Sequence, residues 1–293
     1  MFERRQNPIQ YFFVSQRAIW SWHAWRLACA GGFVAVAGLL PAIAHAQTAS
    51  EEGVEQQGLA DQPKAGEWSI AIGPGLAVRP VYPGASDDRV RFVPMFQIRY
   101  GETFFLGTGG IGMNLIHWHG FRAGPVLGYE GGRKAADDPE LSGLGDISAS
   151  LTAGGFLSYR YGPLELYATA RQAVTHTGNG LTALVRLDYH ARLIPDRLNL
   201  TIGPEVSLAD SASNRTWFGI SSDQSLQSGL PAFTPGGGFR DVGVHVALTY
   251  RVTDHILLHA FGQVKELTGD IANSPIVEDK TQSLAGLGVA YRF

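Results

Sequence analysis

The most regular feature of the chain after residue 67 is an alternation of apolar and polar side chains with a period of two. Apolar residues fill the odd positions of 181–191 and the even positions of 198–208 and 242–250. These runs are about ten residues long, which is the length that a tilted strand needs to cross a bilayer. Strands of soluble sandwiches also alternate, but they average about five or six residues. The pattern therefore predicts an all-β protein that crosses a membrane with its strands.

Connections of two lengths separate the predicted strands. Short turns are predicted at 101–102, 119–120, 161–162, 194–196 and 253–254, and longer connections at 80–88, 131–144, 175–180, 209–239 and 268–280. If both ends of the barrel lie in the periplasm, the strand number is even. A further tight turn at 107–112 then gives a transmembrane antiparallel up-and-down β-barrel of about twelve strands. Ten strands is the fallback, because the strands beside that turn have the weakest pattern.

The first 46 residues are typical of an export signal. Arg4 and Arg5 begin a basic segment, 27–40 is apolar, and Ala44-His45-Ala46 is a small-x-small cleavage site. The alternative is an uncleaved membrane anchor. The polar, acidic segment 47–67 is predicted to be a flexible periplasmic leader, because it has little apolar surface to bury. The predicted organisation is thus a signal peptide at 1–46, a leader at 47–67 and an outer-membrane barrel at 68–293.

Composition and charge exclude several kinds of chemistry. The only cysteine, Cys29, lies in the predicted signal, so the remainder has no thiol for catalysis or metal binding. The first 46 residues hold four of the 23 basic and one of the 26 acidic residues, which leaves 19 basic and 25 acidic residues and a net charge of −6. That balance gives no electrostatic footprint for nucleic acid. With 37 glycines and only 17% charged residues, the composition suits a sheet protein.

The last strand carries a second targeting feature. Tyr291 and Phe293 lie on one face with Val289, Leu287 and Ala285, and the chain ends at the aromatic Phe293. This pattern predicts that Tyr291 and Phe293 are recognised by the machinery that assembles outer-membrane barrels. The alternative is an ordinary amphipathic final strand.

The loops resemble the MltA-interacting protein family, also called MipA/OmpV, over nearly the whole exported part. The resemblance rests on segments in a fixed order, namely Pro80-Val81-Tyr82-Pro83-Gly84-Ala85, Gly131-Gly132-Arg133-Lys134, Leu141-Ser142-Gly143-Leu144-Gly145-Asp146-Ile147, Phe218-Gly219-Ile220-Ser221, Gln227-Ser228-Gly229-Leu230, Leu267-Thr268-Gly269-Asp270, Ser274-Pro275-Ile276-Val277 and Tyr291-Arg292-Phe293. Trp217 departs from the pattern, which has Tyr before Phe-Gly. The resemblance implies a Gram-negative outer-membrane protein without catalytic residues. One member is described as a scaffold that joins a lytic transglycosylase to a murein synthase, and others as adhesion or osmotic-response proteins.

The candidate sites for cofactors and metals are not supported by the residues around them. Gly107 to Gly112 fits G-x-G-x-x-G, but the following residues are predicted as a strand, whereas dinucleotide binding requires a helix there. His255 and His259 would lie about 13 Å apart on a strand, so they are predicted to be two lumen histidines rather than zinc ligands. His117 and His119 could contact one ion but have no third ligand nearby. We therefore predict no catalytic, cofactor-binding or metal-binding residues.

Two other groups of charged residues bear on function. Asp137, Asp138 and Glu140 form an acidic outer loop, which is predicted to be solvated; the alternative is contact with lipopolysaccharide through divalent ions. A second group is predicted to face the lumen, either lining a path or blocking it as ion pairs: Arg186, Asp188, His190, Arg192, Glu205, Arg251 and Lys265.

The sequence thus favours an interaction or scaffold protein that is anchored as a barrel. Its expected partners are outer-membrane lipid, lipopolysaccharide, the assembly machinery and, through the resemblance, a murein hydrolase or synthase. A small-solute pore is the alternative, since barrels of about eight strands are filled by side chains and those of sixteen or more hold channels. An embedded hydrolase ranks last.

Overall fold

The computed structural model describes residues 64–293, so the predicted signal and most of the predicted leader lie outside the described residues. Thirteen strands form one sheet. Their bounds are β1 Trp68–Pro80, β2 Asp88–Tyr100, β3 Phe104–Gly107, β4 Gly110–Met113, β5 Ile116–Trp118, β6 Phe121–Glu130, β7 Ser150–Tyr161, β8 Leu164–Ala173, β9 Leu181–Ile194, β10 Leu198–Ala209, β11 Gly238–Arg251, β12 Ile256–Leu267 and β13 Thr281–Arg292.

The sheet closes into a barrel. Except for β4 and β5, strands that are consecutive in the chain pair antiparallel, and β1 also pairs with β13. Because β4 and β5 both pair with β6, they act as one strand that is interrupted at Asn114 and Leu115. The predicted twelve-stranded antiparallel barrel is therefore confirmed. The weakly patterned strands beside 107–112 are present, but β3 and β4 contain only four residues each.

The predicted turns separate the two ends of the barrel. The short turns follow β2, β5, β7, β9 and β11 at what we call the short-turn end, and the long connections lie at the opposite, long-loop end. Between β5 and β6, His119 and Gly120 both have positive φ, 48° and 84°. This is the type I′ geometry that matches the twist of a two-residue hairpin. In outer-membrane barrels, short turns face the periplasm and long loops face outwards.

The alternation of side chains separates an outer face from an inner face. Leu187 and Val244 are 43% and 56% exposed on the outer surface, whereas Arg186, Asp188 and His245 are buried inside. Exposed aromatic side chains cluster at the short-turn end, as expected for the girdle that meets a membrane interface: Trp68, Tyr100, Trp118, Tyr161, Tyr291 and Phe293. The outer wall is therefore suited to lipid.

The closing strand β13 completes the hydrogen-bonded wall. It pairs with β1 from Ala71 opposite Arg292 to Val78 opposite Ala285, and Phe293 N donates to Ile70 O at 3.0 Å. Closure matters because each unpaired backbone group in lipid costs several kcal/mol. The Phe293 side chain remains 73% exposed.

The connection between β10 and β11 contains two short helices, α1 Ser211–Phe218 and α2 Ser222–Ser228. Asp210 caps α1 by accepting a hydrogen bond from Ser213 N at 2.7 Å, and Ser221 caps α2 through Gln224 N at 3.2 Å. Between residues 64 and 293, the helices are all too short and too polar to cross a membrane. They belong to the loops at the long-loop end.

Candidate functional site

A charged cluster lies inside the barrel on β9, β10 and β11. His245 Nε2 lies 2.9 Å from Asp188 Oδ1, and His245 Nδ1 lies 3.1 Å from Glu205 Oε2. A neutral imidazole has only one N–H, so an imidazolium satisfies both carboxylates. Gln263 Nε2 donates to Glu205, and Arg186 Nη2 lies 3.8 Å from Asp188 Oδ2. The predicted lumen residues Arg186, Asp188 and Glu205 thus form one ion-paired network rather than a set of separate charges.

A second cluster lies inside the barrel at the short-turn end. Glu165 accepts from Arg122 Nη2 at 2.6 Å, from Arg160 Nη2 at 3.0 Å and contacts His190 Nε2 at 3.2 Å. His190 is therefore a lumen residue, as predicted, while Glu165 was not among the predicted residues. The next residue, Leu166, is exposed on the outer face. The alternation of apolar and polar residues in this strand could therefore have identified Glu165 as an inward-facing residue.

The charged cluster around His245 forms what we call the polar wall of the interior, and an apolar wall that the sequence did not indicate lies beside it. Ala77, Val93, Ala247, Phe261 and Leu284 form one buried cluster on β1, β2, β11, β12 and β13. Glycines on β13 provide the room: a Cβ atom on Gly286 would lie 2.2 Å from the Phe261 ring, and one on Gly288 would lie 2.0 Å from Met95 Sδ. The sequence signal for this wall was the pair of glycines on β13, because a glycine within a strand often marks a place where another group packs closely.

The two walls fill the barrel at mid-height. Inward side chains there are almost inaccessible to water, including Met95 on β2, His245 on β11 and His259 on β12, which are each 1% exposed. Side chains that line an open aqueous channel would remain accessible. The described interior therefore resembles the filled lumen of a small barrel more than that of a porin.

The long loops fold over the barrel as a compact layer, which we call the outer cap (81–87, 131–149, 210–237 and 268–280). One apolar cluster joins loops of all four segments: Tyr82, Ala85, Leu141, Leu144, Ile220 and Ile276. A second contains Trp217, Phe218, Leu267 and Ile271. Tyr82 Oη donates to Ile276 O at 3.1 Å, and Ser274 Oγ donates to Phe218 O at 2.6 Å. The cap is thus a small folded core and not a set of independent loops.

A bulge in β11 connects the cap to the barrel. The register with β10 shifts between Ser207 and Leu208, which leaves Arg240 without an opposite residue. Both Arg240 and Asp241 are consequently buried, and the Arg240 guanidinium lies 5.2 Å from the Phe218 ring centre. Bulges commonly re-aim a side chain in this way. Here the bulge directs a cation against the aromatic residues of the cap.

The acidic loop is structured rather than merely solvated. Asp137 Oδ1 accepts from Arg89 Nη1 at 3.1 Å, and Asp138 accepts from Glu140 N at 3.0 Å. Burial would raise the pKa of Asp137, but hydrogen bonds from Arg89 and from the Lys134 backbone, with the charges of Arg89 and Arg91, hold that pKa below its usual value. Asp137 and Asp138 stay partly exposed in this loop, and Arg89 and the short helical turn hold their carboxylates in place.

The histidines differ in their surroundings. His259 lies in the lumen, as predicted, and its Nδ1 is 2.9 Å from Thr249 Oγ1. His255 does not: it lies exposed in the turn before β12, stacks on Tyr291 with ring centres 5.5 Å apart, and contacts Arg292 O at 2.9 Å. The strand begins only at Ile256, which explains the wrong assignment. His117 and His119 are exposed at the short-turn end.

Other predicted chemistry falls on ordinary structural positions. Gly107 to Gly112 forms the tight β3–β4 hairpin rather than opening a helix. Lys265 faces inward with its Nζ 4.0 Å from Asp241 Oδ2, whereas Arg192 is exposed near the short-turn end and Arg251 is only partly buried. Among residues 64–293, no group of three or more His, Cys, Asp or Glu side chains could hold a metal ion.

Comparison with known proteins identifies the family. The model of the family described as MltA-interacting protein MipA matches residues 72–293. This chain belongs to the MipA family. The match covers the barrel from within β1 to the last residue, so the resemblance noted in the loops is confirmed for the barrel as a whole.

A relative from Escherichia coli K12, whose provisional name is outer membrane protein YiaT, is 28% identical over 151 residues. That alignment covers 50% of this chain and 58% of the relative, so the chain spans little more than half of that protein. The barrel, the family and this relative's name place the MipA-family chain in the outer membrane of a Gram-negative bacterium.

Solved structures with a similar outline include Pseudomonas putida OprB, with a TM-score of 0.37 and 12% identity over 69% of this chain and 59% of that one. Another is the anion-selective porin of Comamonas acidovorans, with a TM-score of 0.31 and 10% identity over 78% of this chain and 99% of that one. Similarity at this level carries no inference about what the MipA-family chain does.

Proposed function

We propose that this protein acts as a scaffold in the outer membrane that binds murein-degrading or murein-synthesising enzymes from the periplasm. The observation that carries the proposal is the filled lumen. Since Met95, His245 and His259 are each 1% exposed, the barrel interior is built as a packed core, and the surfaces that remain for function are its two ends. A small-solute pore is the alternative, and the same packing counts against it. The family description, MltA-interacting protein, supports an enzyme partner of this kind.

The short-turn end offers a surface that fits a protein partner. Strand β5 pairs with β6 alone among the described residues, so its other edge is open. Ile116, His117 and Trp118 are all exposed there. In a two-residue hairpin the residues beside the turn exchange hydrogen bonds and the next pair does not. The amide of His117, one residue beyond the closing pair Trp118–Phe121, therefore points to the open edge, where an added strand could pair with it.

The experiment compares two variants at one position. His117→Pro removes the amide donor from the open edge, whereas His117→Ala keeps it and removes only the side chain. Binding of purified lytic transglycosylase and murein synthase from the same bacterium would be measured on the immobilised, detergent-refolded barrel. We expect saturable binding to the unaltered protein and to His117→Ala, and at least a tenfold loss with His117→Pro. If neither enzyme bound the unaltered protein, the scaffold proposal would be overturned. If both variants bound an enzyme equally well, the partner surface would lie elsewhere than at β5.

A further inference from the structure

A cavity of about 440 Å³ lies between the outer cap and the filled part of the lumen. Its walls come from the strand ends around Arg79, Arg91 and Lys265 and from cap residues including Tyr82, Arg133 and Trp217. This size falls within the roughly 300–1,000 Å³ of typical small-molecule sites. We call it the mouth cavity. It is separate from the β5 edge, which lies at the opposite end of the barrel.

The charge of the mouth cavity is one-sided. Its lining contains the basic residues Arg79, Arg91, Arg133, Lys134 and Lys265 but only two acidic residues, Asp137 and Asp146. Both carboxylates are already engaged by other groups, since Asp137 contacts Arg89 at 3.1 Å and Asp146 accepts from Ala135 N at 2.8 Å. Basic residues outnumber acidic residues in the lining by five to two, so the lining carries a net positive charge.

The strand register adds to this concentration of charge. On the inward face of β1 and β2, Arg79 lies directly opposite Arg89, and Arg91 lies one inward position further along, opposite Ala77. The outward neighbours Val78 and Val90 are 43% and 65% exposed, which fixes the arginines on the inner face. Like charges directly opposite each other destabilise a sheet. Asp137 contacts Arg89 at 3.1 Å and offsets part of this repulsion, and the register still brings three arginines to the inner face of the two strands.

Arg133 shows that the cationic surface is held in place. It is 5% exposed, and its Nη1 donates to Trp217 O at 3.0 Å, while the buried Nε has no hydrogen-bond partner among residues 64–293. Burial lowers the pKa of Arg133 to about 10, so the guanidinium is still charged at neutral pH. A planar, charged donor group in a fixed position is well suited to a carboxylate or a phosphate.

Part of the remaining lining is apolar and aromatic, and the rest includes the polar residues Ser148, His176, Gln263, Gln282 and Ser283. Val81, Tyr82, Trp217 and Leu284 form the apolar part of the wall. Burial and the nearby Glu278 carboxylate raise the pKa of Tyr82, so its phenol stays neutral. The cavity therefore combines several cations with a hydrophobic surface, which suits a ligand that has an anionic group attached to an apolar body.

We propose that the mouth cavity binds an amphipathic organic anion, in which a phosphate or carboxylate group contacts Arg91 and Arg133 and an apolar chain packs against Tyr82 and Trp217. Such a ligand has two sources: a soluble metabolite of this chemistry, or the phosphorylated headgroup of a membrane lipid. The position of the cavity at the mouth of the barrel is open to either source.

The test uses the detergent-refolded protein and defined probes. Hexyl phosphate, inorganic phosphate, hexanol and the short-chain lipid dihexanoyl phosphatidate would be titrated while the tryptophan fluorescence is followed, with Trp217→Phe to identify the signal from the cavity. We expect saturable binding of hexyl phosphate or dihexanoyl phosphatidate, at least tenfold weaker binding of inorganic phosphate, and none of hexanol. Stronger binding of hexyl phosphate would indicate a soluble ligand, and stronger binding of the phosphatidate would indicate a lipid.

Matched variants separate binding from folding. Arg91→Gln should weaken binding of the anion at least tenfold, while Arg197→Gln, in a short turn at the other end of the barrel, should leave it unchanged. Arg91→Gln should keep a cooperative thermal unfolding transition in the absence of ligand, which distinguishes a loss of binding from a loss of the fold. No saturable binding of any anion, or equal binding by Arg91→Gln and the unaltered protein, would overturn the proposal.

Discussion

At the residue scale, the packing of the apolar wall depends on glycines, which leave room for the large side chains beside them. Phe261 lies directly opposite Gly286 in the β12–β13 ladder, and its ring covers the glycine. An aromatic residue over a glycine shields the exposed backbone of a sheet and helps to fix register. The same ladder places His259 opposite Gly288, whose vacant Cβ position is taken by the Met95 sulfur. Small residues on β13 therefore complement large residues on β12 and β2.

Gly286→Ala should lower the free energy of unfolding by about 1–3 kcal/mol, the usual cost of overpacking. The reason is that the new methyl group would overlap the Phe261 ring. In a Phe261→Leu background the ring is gone, so the same substitution should cost less than half as much. Denaturant unfolding of the four proteins in detergent micelles measures this coupling. Equal costs in both backgrounds would show that the ring and the glycine do not depend on each other.

At the element scale, the strands were predictable and the loops were not. Alternation places Val244 outside and His245 inside because a barrel wall has only two faces, and that rule needs no knowledge of distant residues. The cap has no such rule. Trp217 and Phe218 are 2% and 0% exposed because residues from other loops surround them, and no period in the sequence announces those contacts.

The charged sites were predictable only in part, because they also depend on contacts between residues that are distant in the sequence. The sequence indicated that Arg186, Asp188 and Glu205 face inward. It did not indicate that His245 connects Asp188 to Glu205, because this depends on the register of β9, β10 and β11. The mouth cavity is harder still to foresee, since its arginines come from β1, β2 and a loop more than forty residues later.

The folded cap should resist proteolysis. Arg215 lies within α1, so trypsin can cleave there only if the helix unfolds. Phe218→Ala removes a fully buried ring and should make cleavage after Arg215 at least tenfold faster, whereas Leu226→Ala removes an 87% exposed side chain in the same loop and should have no effect. Mass spectrometry of timed digests reports both rates. Rapid cleavage of the unaltered protein would mean that the loops are not a packed layer.

The final strand should matter more for assembly than for stability. Phe293 is 73% exposed, and its backbone N donates a hydrogen bond to Ile70 O at 3.0 Å. Its deletion should therefore leave refolding into detergent nearly unchanged but sharply reduce the amount of protein in the outer membrane, if Tyr291 and Phe293 are read by the assembly machinery. Phe293→Tyr keeps an aromatic end and should behave normally. Outer-membrane levels that are unaffected by the deletion would refute the recognition role.

At the scale of the whole molecule, three parts of the protein have different roles. The aromatic girdle and apolar outer wall hold the barrel in lipid, the packed polar and apolar walls fill its interior, and the cap covers its long-loop end. In this account the barrel is an anchor, and its functional surfaces lie at the two ends: the open β5 edge on one side and the cationic mouth cavity on the other.

Electrical recording from single barrels tests the filled lumen most directly. Cys29 is the single cysteine of the sequence, so Asp223→Cys in a barrel refolded without residues 1–46 gives one site, in the exposed part of α2, for a fluorescent label that counts the barrels in a planar bilayer. The account predicts that labelled barrels, seen one by one, carry no steady unitary current in salt solution. Steady currents that rise in equal steps with the number of labelled barrels would contradict it, because they would require a continuous aqueous path through the interior.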